Sequence, residues 1–112
     1  MNERKFLVAF INEKLNNNFE SLKDSKHENE KLYSQIKRAI EDLKEDPLYG
    51  IRIPKKLWPK EYINKYRITN LRKYDLHNGW RLIYTIDSDE VQILCIILEW
   101  FDHKEYNRRF KY

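Results

Sequence analysis

Three residues in this chain combine into a recognisable chemistry: Arg81, His103 and Tyr106. Arg81 opens a β-rich run, Trp80–Ile86, while His103 and Tyr106 trail a second apolar run, Val91–Leu98. If the two runs are neighbouring antiparallel strands, the start of one and the end of the other share an edge, and the three side chains meet. A spacing of three puts His103 and Tyr106 on one side of a helical turn. A fixed cation, an imidazole titrating near neutrality and a phenol are what RNA phosphodiester cleavage needs. The 2′-oxygen must lose a proton, the leaving oxygen must gain one, and negative charge builds on phosphorus. Taken alone, a His and a Tyr on a terminal helix more often serve structure than chemistry.

Other chemistries find less support. Three scattered histidines, His27, His77 and His103, and the single Cys95 give no recognised metal-ligand spacing. With two glycines the chain has no phosphate-cradling Gly-rich loop, and no serine sits in a nucleophile elbow. No metal and no other cofactor is expected.

The elements that must position the three residues follow from apolar patterning. Seven of the eight residues in Val91–Leu98 are apolar, at odd and even positions alike, which predicts a strand covered on both faces. The turn-like Asp87-Ser88-Asp89-Glu90 joins it to Trp80–Ile86 as a hairpin. Upstream, Lys5–Ile11 reads as a strand, and Asn12 as N-cap of a helix from Glu13 to about Lys23 that buries Leu15, Phe19 and Leu22. Ser25 and Glu28 have capping-box spacing for a second helix, whose apolar face is Leu32, Ile36, Ala39, Ile40 and Leu43 and which Pro47 ends. An irregular basic arm, Ile51–Lys60, carries two prolines that argue against a central strand. Tyr66–Leu76 has strand propensity, His77-Asn78-Gly79 is a turn, and the tail from Asp102 is a short helix capped by Asp102. The expected class is α+β, in the order β-α-α-β-β-β. A helical hairpin packs on one face of an antiparallel sheet of about four strands, the other face is partly open, and a short C-terminal helix follows.

The totals fit one domain over residues 1–112. With 41% apolar and 36% charged residues the chain is globular. Cys95 lies in the most apolar run as a buried small hydrophobe, and no apolar stretch is long enough for a signal core or a span, so a cytoplasmic protein without membrane contact is expected. The net charge is +4, yet residues 52–81 alone hold nine Lys/Arg against two Asp/Glu, interleaved with Trp58, Tyr62, Tyr66, Tyr74 and Trp80. Such a segment is either a solvated face or a nucleic-acid surface. On the second reading Lys55, Lys56, Lys60, Arg67 and Arg72, with Arg108 and Arg109 in the tail, contact RNA phosphates.

The combination Asn70-Leu71-Arg72-Lys73-Tyr74-Asp75-Leu76, then Gly79-Trp80-Arg81-Leu82-Ile83-Tyr84, an apolar strand and His103-Lys104-Glu105-Tyr106 resembles the RelE/ParE superfamily of type II toxins. The likeness spans nearly the whole chain, including the helix exit Asp46-Pro47-Leu48-Tyr49-Gly50. It implies a metal-independent messenger-RNA endonuclease of a toxin–antitoxin system. Such an enzyme acts on the ribosome by 2′-hydroxyl attack, with the ribosome, the messenger and a cognate antitoxin as partners. By position, Arg81 matches the arginine that stabilises the transition-state phosphate. Tyr106 matches a C-terminal tyrosine that stacks on a base or moves protons, and Lys73 falls near a catalytic lysine on the preceding strand. His103 is similar to the C-terminal histidine of the YoeB- and HigB-like branches, while Glu99-Trp100 replaces an arginine that RelE carries near the end of the last strand. The alternatives are a ParE-like inhibitor of DNA gyrase and a toxin-fold protein that only binds its antitoxin.

Overall fold

In the computed structural model, which describes residues 4–24 and 26–110, the apolar run is the spine of the protein. Strand β5 spans Gln92–Phe101 and is flanked by β1 (Lys5–Phe10) and β4 (Arg81–Ser88). It begins one residue later than the run and reaches three residues further; Val91, 68% exposed, stays in the turn that Asp89 closes through its Oδ1. The sheet order is β1-β5-β4-β3-β2, with β2 at Ile51–Arg52 and β3 at Arg72–Asp75.

The sheet departs from expectation in two respects. Among the described residues it has five strands, and it is mixed: β1 lies parallel to β5 while the other pairs are antiparallel. A two-helix connection frees β1 to return in either sense, and the parallel register places Val8 opposite Cys95 and Phe10 opposite Ile97, so both join the core beneath the helices. The fifth strand is the pair Ile51–Arg52, inside the arm expected to be irregular; it is an edge of two residues, and Pro54 lies just beyond it.

The helical hairpin forms as its patterning predicts. Helix α1 spans Glu13–Leu22, and Asn12 Oδ1 accepts from the Leu15 amide at 2.8 Å, a cap whose loss costs about 1 kcal/mol. Helix α2 spans His27–Glu45 and buries Leu32, Ile36, Ala39 and Leu43 against Leu82, Tyr84, Cys95 and Ile97. The capping-box serine, Ser25, lies outside the described residues.

The strand expected over Tyr66–Leu76 shortens to β3, and a helix that was not expected precedes it. Lys60–Tyr66 is helix α3, which buries Tyr62 and ends at Arg67 in the left-handed region, φ 51°. Pro59 before it and the Tyr62/Tyr66 spacing of four are its sequence signals. Asn70 takes over the pairing ahead of β3: its side-chain amide donates to the Ile86 carbonyl and accepts from the Ile86 amide, both at 2.7 Å.

Helix α4 (His103–Phe110) is capped by Asp102, whose Oδ1 accepts from the Glu105 amide at 2.8 Å. Together α3 and α4 cover the second sheet face at one end, burying Ile83, Leu98, Phe101, Tyr106 and Phe110. Towards β1 that face stays open, with Leu7 40% exposed. A register shift between Ile83 and Tyr84 makes Leu98 an extra residue in β5, so Leu98 and Phe101 both join this second core.

Candidate active site

The hairpin brings Arg81 to the end of β5, with Phe101 as its Cα partner across the ladder. On its other side Arg81 faces Asp75 of β3, and Arg81 Nε lies 2.9 Å from Asp75 Oδ1. Lys73, two residues earlier on β3 and so on the same face, places Nζ 3.6 Å from the same oxygen. Both cations also sit over one aromatic ring: Lys73 Nζ is 5.4 Å and the Arg81 guanidinium carbon 5.5 Å from the centre of Tyr106. Each side chain keeps 18% exposure, enough for a ligand to reach it, while the low-dielectric floor strengthens its charge. Arg81 Nε is buried and its contact with Asp75 is not aligned as a hydrogen bond. Two cations therefore share one half-exposed carboxylate, leaving positive charge in excess.

His103 begins α4 beside this cluster. An added Cβ on Gly79 would come within 2.8 Å of His103 Cβ, so the turn feeding Arg81 packs directly against the histidine. Gly79 also has φ +79°, a second reason for glycine there. The imidazole is exposed, and Asn107 Nδ2 lies 3.1 Å from its Nε2.

Tyr106 does not present a free face. It is 2% exposed, its ring stacked on Phe110 at 4.6 Å and capped by the two cations. It supports Lys73 and Arg81 from inside the protein and offers no surface to a nucleobase.

Two arginines expected to contact RNA have structural duties instead. Arg72 donates to the carbonyls of Leu48 at 3.1 Å and Gly50 at 2.6 Å, fastening the loop after α2 to β3. Arg109 is held by Glu61, by Glu99 at 3.5 Å and by Glu105 at 3.9 Å, and lies 5.0 Å over the Phe101 ring. Arg108 pairs with Glu105, its Nε donating at 3.1 Å. Lys55, Lys56, Lys60 and Arg67 are exposed, the first two in a single 3-10 turn, the others at the two ends of α3.

Sequence reasoning missed Asp75, the carboxylate that both cations share, and Tyr84, which is buried beneath the Pro47–Gly50 loop. Their signals were the alternation of Lys73 with Asp75 and the pairing of Tyr84 with Arg72 across two strands. Burial pushes the Cys95 thiol up to about 11, which leaves it unreactive near neutrality. Among the described residues no group of three His, Cys, Asp or Glu is placed to hold a metal ion, and no helix is long and apolar enough to cross a membrane.

No family model matches this chain, and no curated protein or solved structure is significantly similar to it.

Proposed function

We propose that the protein is a metal-independent RNA endonuclease, and that it acts as the toxin of a toxin–antitoxin pair on messenger RNA at the ribosome. The observation that carries the reading is the convergence of Lys73 and Arg81 over Tyr106, with His103 packed against the turn that delivers Arg81. In the proposed reaction a phosphate displaces Asp75 from the two cations. The 2′-oxygen attacks phosphorus as its proton leaves, and the bond to the 5′-oxygen breaks as that oxygen gains a proton, leaving a cyclic phosphate. Lys73 and Arg81 stabilise the charge on the pentacoordinate phosphorus, and His103 supplies one of the two proton transfers. Tyr106 is a positioning residue that holds both cations against a shared ring. Lys55 and Lys56 in the 3-10 turn, with Lys60 and Arg67 at the two ends of α3, add exposed positive charge for messenger or ribosomal RNA. The resemblance of the Gly79–Tyr84 and His103–Tyr106 segments to RelE/ParE toxins supports the same reading.

Mapping of transcript 5′ ends after induced expression, with the Arg81→Ala protein as control, tests it. New ends that appear with the parent and vanish with the variant are expected; growth arrest without new ends would overturn the nuclease reading. One observation favours a second reading, in which the protein only binds its antitoxin: Asp75 already lies against both cations. Unimpaired growth on induction, with a partner co-purifying from the native operon, would support it.

A further inference from the structure

The cleavage reaction needs one group to take a proton and another to give one, and the cation cluster contains a carboxylate. Asp75 ends β3 with its side chain 47% exposed. Both cations meet the same oxygen, Oδ1: Arg81 Nε at 2.9 Å and Lys73 Nζ at 3.6 Å. The carboxylates of Glu61, Glu99 and Glu105 are engaged by Arg109 instead. Tyr106, at 2% exposure, is closed to an incoming strand. Asp75 is thus the acceptor of protons that the cluster can offer to a bound nucleotide.

The ladder also places it with respect to His103. Arg81 has Asp75 as its Cα partner on β3 and Phe101 as its partner on β5. His103 follows Phe101 by two residues, begins α4 and packs against Gly79 in the turn before β4. The carboxylate and the imidazole are therefore carried by chain segments on the two sides of Arg81. Displacement at phosphorus makes the same demand. The attacking and leaving oxygens lie roughly in line across the phosphorus, so the base and the acid must flank the phosphate.

We propose that Asp75 is the general base and His103 the general acid, an assignment that rests on the RNA-cleavage reading above. A phosphate arriving on Lys73 and Arg81 takes over the contacts to Oδ1 and leaves the carboxylate beside it, freed of the cations that held its charge. A carboxylate without its cations is the stronger base. Asp75 takes the proton of the 2′-hydroxyl, whose oxygen forms the new bond to phosphorus. The bond to the 5′-oxygen breaks with its electron pair, and that oxygen takes a proton from the His103 imidazolium. The products are a cyclic phosphate and a free 5′-hydroxyl, and Asp75 and His103 regain their starting states by exchanging protons with water. Before RNA binds, the same carboxylate offsets part of the cluster's charge.

Two substrates separate the roles, each offered free and on programmed ribosomes: an RNA, and the same RNA with sulfur replacing the 5′-oxygen of the scissile bond, which leaves as a thiolate and needs no proton. Asp75→Asn should cleave both more slowly than the parent, by roughly 10² to 10⁴. It should nevertheless bind the 2′-O-methylated RNA several-fold tighter, because the charge competing with phosphate is gone. His103→Gln should be slow on the ordinary RNA and close to the parent on the sulfur substrate. Parental or faster cleavage by Asp75→Asn would show that the carboxylate only masks the cations, and would overturn the assignment. Weaker RNA binding by Asp75→Asn would overturn it too, making Asp75 a positioning residue for Lys73 and Arg81. If sulfur restores Asp75→Asn, or fails to restore His103→Gln, the acid and the base are wrongly assigned while the nuclease reading stands. No cleavage of either substrate by the parent would end that reading and this proposal together.

Discussion

Two arginines, Arg81 on β4 and Arg109 on α4, sit over aromatic rings in nearly the same way, and their surroundings are opposite. Arg81 lies 5.5 Å over Tyr106 and shares one carboxylate, Asp75, with a second cation. Arg109 lies 5.0 Å over Phe101 and is itself shared among three carboxylates, Glu61, Glu99 and Glu105, from α3, β5 and α4. The first cluster has charge left over for an incoming anion. The second has none, and works as a clasp that ties two helices to the central strand. For these two arginines the difference lies in the number of carboxylates around each, a quantity that residue counts do not contain.

The sharpest way to break the contrast is to remove each region's key group and read both activity and stability. His103→Gln should lower cleavage by roughly 10² to 10⁴, and Arg81→Ala by about a hundred-fold or more. In both cases thermal unfolding should stay close to the parental midpoint, since neither side chain is part of the apolar core. Single-turnover cleavage and melting curves on the same preparations check this. Parental cleavage in either variant would remove that residue from the site.

Arg109→Ala should behave in the reverse manner. It leaves the partly buried Glu99 and the more exposed Glu61 and Glu105 without their shared cation, and a loss of about 1–2 kcal/mol is expected. That corresponds to a midpoint lower by roughly 4–10 °C in a domain of this size. RNA affinity at a temperature where both proteins are folded should not change. A matching loss of RNA affinity would mean that the two clusters are not separate in function.

The same contrast explains what could and could not be read from the chain. The apolar run in β5, the Asn12 and Asp102 caps and the buried stripe of α2 each depend on local spacing, and all appear where the patterning places them. The meeting of Arg81 with Tyr106 followed from hairpin geometry, whereas the place of Lys73 beside them was implied only by the family resemblance. What escaped depends on contacts between distant segments. Helix α3 was hidden by β-prone aromatics, and β1 took a parallel place that its own residues do not encode. Arg72 and Arg109, which look like surface cations in a basic stretch, turn inward because Leu48, Gly50, Glu61 and Glu99 come to them from elsewhere in the fold.

The smallest effect is the most discriminating about the clasp itself. Burial raises the pKa of Glu99, more than the Tyr62 hydroxyl and the nearby Lys65 lower it. The buried Tyr62 hydroxyl is raised as well, chiefly by burial and then by the Glu99 charge beside it. A carboxyl whose folded pKa lies above its unfolded value stabilises the fold while protonated, and that contribution is lost as pH rises from the unfolded pKa through the folded one. At neutral pH the ionised Glu99 is therefore a net burden in a cluster already rich in carboxylates. Glu99→Gln keeps an amide near Tyr62 and Arg109 while removing that charge. The variant should be more stable than the parent at pH 7, by less than about 1 kcal/mol. The advantage should shrink as pH falls towards the ordinary carboxylate range near 4.3, where the parent takes up the proton itself. Denaturant midpoints at a series of pH values measure it directly. A variant less stable than the parent at pH 7, with the gap closing in acid, would show that Arg109 outweighs burial at Glu99. The clasp would then depend on that charge instead of merely enduring it.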